Sequence, residues 1–189
     1  MESKQFPNFS IRSYGMISAA FCERGITDFH RAVEHVRDLP YGRTSNKTNL
    51  PLVLVEERGT CSTKHALLAQ LATEHGVDTF QLTLGIYEMS ERNTSGVGRV
   101  LSDYGLESIP EAHCYLSTQS QRFDFTKPNA SVPVGELLYE ETIQPPQIGA
   151  YKVRLHRRYL AEWGEQERPE CSTDELWEIR EDCIAALEQ

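Results

Sequence analysis

The sequence lacks long apolar runs. No stretch is long enough to span a membrane, and residues 1–15 contain no apolar core of the kind that a secretory signal carries. Cysteine occurs five times, an odd number without a Cys-x-x-Cys pair, in a chain large enough to fold without crosslinks. From these absences we expect a reduced, cytoplasmic protein with no disulfide framework.

Basic residues are also scarce. Nineteen Lys and Arg stand against 28 Asp and Glu, so the formal net charge is −9, and residues 165–189 hold nine of the acids and two of the bases. An acidic surface repels phosphates, so nucleic acid and anionic membranes are poor candidates for partners. With 39% hydrophobic and 25% charged residues, the composition is that of a globular protein. We expect residues 1–189 to form a single domain.

Two helices are predicted in the first half of the chain. Residues 27–39 carry apolar side chains at three- and four-residue steps, after a capping residue and before a proline. Residues 61–75 form a second helix that stops at Gly76. Placing its residues at 100° steps puts Ser62 and Thr63 on an exposed arc, and we expect most of the remaining surface of this helix to be buried.

Strands are predicted further along the chain. Residues 51–55 form a short strand or a buried lead-in, and the alternation over residues 80–86 is that of a half-buried strand. A polar connection follows, with a short helix near residues 97–104. Two short strands, residues 112–116 and 122–126, come next.

The last third predicts a helical extension over residues 150–189. A short element is expected at residues 136–141, before helices at about residues 150–163 and 173–187. The second helix starts with the capping-box pattern Ser172-Thr-Asp-Glu175. We expect this acidic helix to turn its charged face to solvent and to dock against the basic residues 154–158 or against a partner.

The most informative segment is Gly59-Thr60-Cys61-Ser62, which places a cysteine at the first turn of a buried helix. Unpaired backbone N–H groups and the helix dipole stabilise a thiolate there. A cysteine nucleophile also needs a base that takes its proton and a third group that orients the base. The two short strands offer both groups.

The two strands predict a matched histidine and aspartate. If residues 117–120 form the loop of a hairpin, His113 lies directly opposite Asp124, and Cys114 lies opposite Phe123. The same register places the small and apolar residues on one face, so the apolar pattern and the polar pair agree.

These motifs together resemble those of the transglutaminase-like superfamily. RGTCSTKHALLAQLATEHGV is similar to the nucleophile motif of that superfamily, and AHCYL and RFDFT are similar to its histidine and aspartate strands. Leu39-Pro40-Tyr41-Gly42 resembles the lead-in of small bacterial members. The resemblance covers about residues 27–130, in the order Cys, His, Asp.

The resemblance implies a papain-like α+β fold in which the cysteine helix packs on an antiparallel sheet. It assigns Cys61 as the nucleophile, His113 as the general base and acid, and Asp124 as the residue that holds the imidazole. Tyr41 and Tyr115 are then candidates for contact with the substrate or the oxyanion. The implied reaction is acyl transfer on a peptide, amide or small-molecule substrate, mainly hydrolysis through a thioester, without a metal ion or cofactor.

Three other interpretations stay open. A zinc site can be drawn from Cys61 and His65 with His113 or Cys114, although the strand pattern turns Cys114 into the core. The chain can also be a catalytically inactive member of the superfamily that serves in binding or assembly. Finally, a reactive thiol at Cys61 can sense oxidants through a mixed disulfide.

Overall fold

A computed structural model describes residues 6–128 and 137–187. Over these residues the chain is a mixed α+β protein, as predicted. Its elements, in chain order, are α1 Met16–Glu23, α2 Phe29–Asp38, α3 Leu52–Val55, α4 Cys61–Glu74, β1 Gln81–Met89, α5 Gly98–Asp103, β2 Ile109–Ser117, β3 Arg122–Phe123, β4 Leu137–Ile143, a 3-10 turn Pro145–Ile148, α6 Ala150–Glu167 and α7 Thr173–Ala186.

The four strands form one antiparallel sheet in the order β3-β2-β1-β4. The edge strand β3 is only two residues long and pairs with the end of β2, Leu116 opposite Phe123 and Ser117 opposite Arg122. The predicted second strand, residues 122–126, is therefore too long. The strand ends early because two backbone N–H groups donate to side chains instead of to a neighbouring strand. Phe125 N donates to His65 Nε2, and Thr126 N donates to Asp124 Oδ1.

The predicted hairpin register is wrong by two residues. The loop consists of residues 118–121, closed by a hydrogen bond of 2.8 Å from Thr118 N to Gln121 O, and not of residues 117–120. Gln121 N also donates to Thr118 Oγ1 at 3.2 Å, so a side chain that the strand pattern does not use fixes the turn. His113 and Asp124 are consequently not opposite each other. A shift of two preserves the alternation, and Phe123 is buried as expected.

The chain divides into two compact units, and the described residues of the first lie within Met1–Thr83, Cys114–Val132 and Thr142–Ile148. Its central element is α4, against which α1, α2, α3 and the 3-10 turn pack. Residues 61–69 of α4 are all buried. The predicted exposed arc is therefore wrong at Ser62 and Thr63, because neighbouring elements surround this part of the helix.

The helices of the first unit differ in whether the residue that caps the N-terminus is close in the sequence or distant. Helix α2 begins as predicted, with the Asp28 carboxylate accepting from Arg31 N at 3.1 Å. Residues 51–55 contain the helix α3 and not a strand. Helix α1 was not predicted. Its N-terminus is capped by a distant residue, Glu74, whose carboxylate accepts from Ile17 N at 3.0 Å and from Ser18 N at 2.7 Å.

The described residues of the second unit lie within Leu84–His113, Pro133–Glu141 and Gly149–Gln189. Helices α5, α6 and α7 have the predicted positions, and the Ser172–Glu175 capping box is present. Strand β4 begins at Leu137, so residue 136 of the predicted short element lies outside the described residues. A buried apolar cluster, which includes Met89, Leu101, Ile109, Leu160, Leu176, Ile179 and Cys183, forms the core of this unit.

A buried ion pair connects β2 to α7 within the second unit. The Arg180 guanidinium donates to both carboxylate oxygens of Glu111, each at 2.6 Å. The guanidinium carbon lies 5.3 Å from the centroid of the Trp177 ring, and His156 Nε2 lies 4.0 Å from Glu111 Oε2. Burial raises the pKa of Glu111, but the positive charges of Arg180 and His156 outweigh it and hold the pKa at about 2.

Helix α7 also contacts the basic residues of α6, as predicted. Arg157 forms an ion pair with Asp174 and places its guanidinium carbon 5.2 Å from the centroid of the Trp177 ring. None of the helices in residues 6–128 and 137–187 is both long and apolar enough to cross a membrane.

Candidate functional site

Cys61 is the first residue of α4 and is 6% exposed. Its sulfur lies 3.8 Å from Ser62 Oγ, and the preceding residue, Thr60, donates its backbone N–H to Thr63 Oγ1 at 2.9 Å. The backbone N–H groups of the first turn have no partners within the helix, and their dipoles favour an anion at this end. The sulfur is therefore placed where a thiolate is stabilised.

The segment that contains Tyr41 pairs with the residues that precede Cys61 in the chain. Tyr41 forms an isolated parallel bridge with Gly59, and Gly59 N donates to Pro40 O at 3.2 Å while Gly42 N donates to Gly59 O at 3.4 Å. The predicted lead-in is thus joined by its backbone to the residue two positions before Cys61. A contact between Tyr41 and a substrate stays a prediction.

Asp124 is buried in the same unit and is held in one orientation. Its Oδ1 atom accepts from Thr126 N at 2.8 Å and from Thr126 Oγ1 at 2.5 Å, and it lies 3.7 Å from His65 Nε2. Two donors from one residue keep the side chain from rotating and favour its charged form.

His65 has both ring nitrogens bonded to the backbone. Nδ1 lies 2.8 Å from Cys61 O, and Nε2 lies 2.7 Å from Phe125 N. Because a carbonyl can only accept and a backbone N–H can only donate, the ring is neutral with its proton on Nδ1. In this arrangement neither nitrogen is available to a zinc ion or to the Cys61 proton, so His65 links α4 to the Asp124 segment.

Lys64 is the residue of this site that sequence reasoning missed. It has no exposed surface, and its ammonium is within hydrogen-bond distance of three backbone carbonyls. Burial lowers the pKa of Lys64 to about 8, against the negative charges of Asp124, Asp38 and Cys61, which raise it. The signal was present, since Lys64 is the only Asp, Glu, Lys or Arg between Cys61 and Thr73 in a helix otherwise rich in Ala and Leu.

His113 belongs to the second unit, whereas Cys61 and Asp124 belong to the first. His113 is half-buried on β2, with its ring edge against Tyr87 at a centroid distance of 6.3 Å. Its role as the base for Cys61 stays a prediction. Tyr115, two residues along β2, has no exposed surface, and the Arg122 guanidinium carbon lies 6.0 Å from the centroid of its ring. Contact of Tyr115 with a substrate is likewise a prediction.

A cavity of about 340 Å³ lies at the other end of α4, where Thr73, Asp78 and Gln81 are among its lining residues. None of the residues assigned to the reaction lines it. In the part of the chain that the structure describes, no group of three or more His, Cys, Asp or Glu side chains is placed to hold a metal ion.

Comparisons with protein-family models, with curated proteins and with solved structures gave no match to this chain. The resemblance to the transglutaminase-like superfamily therefore rests on the sequence motifs alone.

Proposed function

We propose that the protein is a transglutaminase-like thiol hydrolase with a papain-like arrangement of its α+β fold. Cys61 is its nucleophile, and the scissile bond is an amide or peptide bond. The observation that carries the proposal is the position of Cys61, which starts a buried helix. Asp124 lies 3.7 Å from His65, one turn further along that helix, and Tyr41 is bridged to Gly59, two residues before Cys61.

The reaction has two halves. His113 takes the proton of the Cys61 thiol, the thiolate attacks the carbonyl carbon, and when the carbon–nitrogen bond breaks, His113 delivers that proton to the leaving amine. His113 then takes a proton from water, which attacks the thioester and breaks the carbon–sulfur bond, so a carboxylic acid leaves and the thiol is restored. The backbone N–H of Cys61 supplies one donor to the oxyanion.

The choice of His113 as the base is supported by the contacts of three histidines that lie in the first unit. His65 and His75 have both ring nitrogens engaged by backbone groups, and His30 Nε2 lies 2.9 Å from Phe6 O. His65 is the one closest to Cys61 in the sequence, and its geometry does not allow it to accept the thiol proton. The sequence motif therefore keeps its original assignment of the base to His113.

Two observations favour a second candidate, a catalytically inactive module that serves in binding or assembly. Cys61 is only 6% exposed, and the hairpin register does not pair His113 with Asp124. In such a module the thiol would pack as a small apolar group, which is its commonest role in proteins.

Alkylation by iodoacetamide at pH 6 separates the two candidates. An ordinary thiol with a pKa near 8.5 is less than about 1% ionised at this pH, so an activated Cys61 should react about tenfold or more faster than glutathione. Mass spectrometry of the peptide that contains Cys61 measures the rate, and the other four cysteines are followed in the same digest as internal references.

Cys61→Ser abolishes the fast reaction if the assignment is right, and His113→Gln slows it. A p-nitrophenyl ester should also give a burst of one p-nitrophenol per wild-type molecule and none from Cys61→Ser. If Cys61 in the folded protein reacts no faster than glutathione, the hydrolase proposal is wrong and the inactive module is supported.

A further inference from the structure

Lys64 is a buried cation one helical turn after Cys61. Its Nζ lies 2.5 Å from Leu39 O, 2.7 Å from Thr126 O and 3.3 Å from Arg37 O. An ammonium has three N–H donors and a neutral amine has two, so three carbonyl acceptors match the charged form. A buried lysine without such partners would be costly, and the three carbonyls replace the water that it loses.

The three carbonyls come from the segments that shape the Cys61 site. Leu39 and Arg37 precede the Tyr41 segment, which pairs with Gly59. Thr126 uses its N–H and its hydroxyl to fix Asp124 and its carbonyl to accept from Lys64. One side chain therefore ties both segments to the first turn of α4.

Gly59 makes room for this side chain. A Cβ atom at position 59 would lie 2.8 Å from Lys64 Cγ and 3.0 Å from Thr63 Oγ1. Both distances are shorter than ordinary contacts between such atoms. The glycine of the Gly-Thr-Cys motif thus allows the lysine stem to pass close to the backbone just before Cys61.

We infer that Lys64 is a positioning residue of the Cys61 site, whose buried ammonium joins residues 37–39, Thr126 and the start of α4 and favours the thiolate of Cys61. The inference rests on the proposed function of Cys61 as a nucleophile. It is supported by the opposite charges of Cys61 and Asp124, which raise the pKa of Lys64 and are stabilised by it in return.

The test is the rate of Cys61 alkylation against pH from 5 to 10 in the wild type, Lys64→Met, Lys64→Arg and Leu67→Val. Lys64→Met should move the midpoint up by about one to two pH units, which lowers the rate at pH 6 by about tenfold to a hundredfold. Lys64→Arg keeps the charge, so its midpoint should stay close to that of the wild type. Leu67 is buried in the same helix, and its variant controls for lost stability without lost charge.

A measurement on the wild type covers the case in which Lys64→Met does not fold. When Lys64 loses its proton at alkaline pH, the thiolate becomes more basic and so more nucleophilic, which adds a second rise of about threefold to the rate. Lys64→Arg lacks this second rise, because arginine stays charged.

The outcomes separate the two proposals. If the wild-type midpoint is that of a free thiol, the hydrolase proposal fails. If the wild-type midpoint is low but Lys64→Met leaves it unchanged, or if the wild-type profile has a single step, Cys61 is activated without Lys64 and this inference is wrong.

Discussion

In the first unit the buried cation Lys64 is surrounded by three backbone carbonyls, whereas in the second unit the buried cation Arg180 is held by both oxygens of the Glu111 carboxylate. The two arrangements differ in the net charge that the buried group and its partners carry together. A bidentate ion pair cancels its own field at short range, but carbonyl dipoles solvate a cation and leave its net charge. The Lys64 charge can therefore act on Cys61 and Asp124, while the Glu111–Arg180 pair serves to attach α7 to β2.

Removal of Arg180 should have the largest effect on stability. Arg180→Met leaves the Glu111 carboxylate buried without its main partner, and we expect a loss of about 3–5 kcal/mol in the free energy of unfolding. The double variant Glu111→Met/Arg180→Met buries no charge and should recover most of that loss. Urea unfolding followed by circular dichroism measures both. Equal losses in the single and double variants would show that packing around Trp177, and not charge, holds this site together.

The second prediction concerns acid. The pKa of Glu111 is about 2 in the folded protein and about 4.5 in the unfolded chain, so the unfolded chain binds the extra proton between these values. Stability from this group is complete above pH 4.5 and is lost as the pH falls towards 2, by about 3 kcal/mol in total. Glu111→Gln does not titrate and is the matched control. The difference between the two acid-unfolding curves isolates the contribution of Glu111.

Lys64 should give a slope of the same sign at the alkaline end, although here burial disfavours the charged form of the group in the folded protein. Its pKa of about 8 lies below the ordinary 10.5, so between these values the unfolded chain binds more protons, and the Lys64 contribution to stability rises with pH. Lys64→Met removes this rise. If the wild type and the variant show the same slope above pH 8, the two buried cations do not differ as the comparison requires.

The parts of the fold that follow from neighbouring residues were predictable. Helices α2, α6 and α7 each have an apolar face, and α2 and α7 also have a capping side chain, Asp28 or Ser172, directly before their first residue. A single charged residue in an apolar helix marks Lys64 in the sequence, but its three acceptors were not predictable, because they lie 25 to 62 positions away. Helix α1 was missed for the same reason, since its cap comes from Glu74, 56 and 57 positions from the N–H groups that it accepts.

The position of Cys61 at a helix start was predicted from local signals, and the helix observed is Cys61–Glu74. The hairpin register was not predicted correctly, because a hydroxyl and two further side-chain acceptors determine where the pairing of the two strands stops. Thr118 Oγ1 accepts from Gln121 N, and His65 and Asp124 accept the backbone N–H groups of Phe125 and Thr126. A pattern of apolar alternation contains no information about such acceptors.

A fourth prediction tests the space that Lys64 needs. Gly59→Ala forces the lysine stem or Thr63 to move, and we expect a loss of about 2 kcal/mol together with slower Cys61 alkylation at pH 6. Gly42→Ala is the matched control in the paired segment, because its new Cβ would lie 3.5 Å from the nearest atom, Arg58 Cδ. Thermal unfolding and the alkylation rate should both change at position 59 and stay nearly constant at position 42.

The smallest effect distinguishes the charge of Lys64 from the orientation of Asp124. Thr126→Val removes the hydroxyl bond to Asp124 Oδ1 but keeps the backbone N–H donor and the carbonyl that Lys64 uses. We expect a loss of about 1.5 kcal/mol in stability and no shift in the midpoint of Cys61 alkylation. Thr126→Ser keeps the hydroxyl and should lose less. If Thr126→Val shifts the midpoint as far as Lys64→Met does, Lys64 acts on Cys61 through the position of Asp124 and not through its own charge.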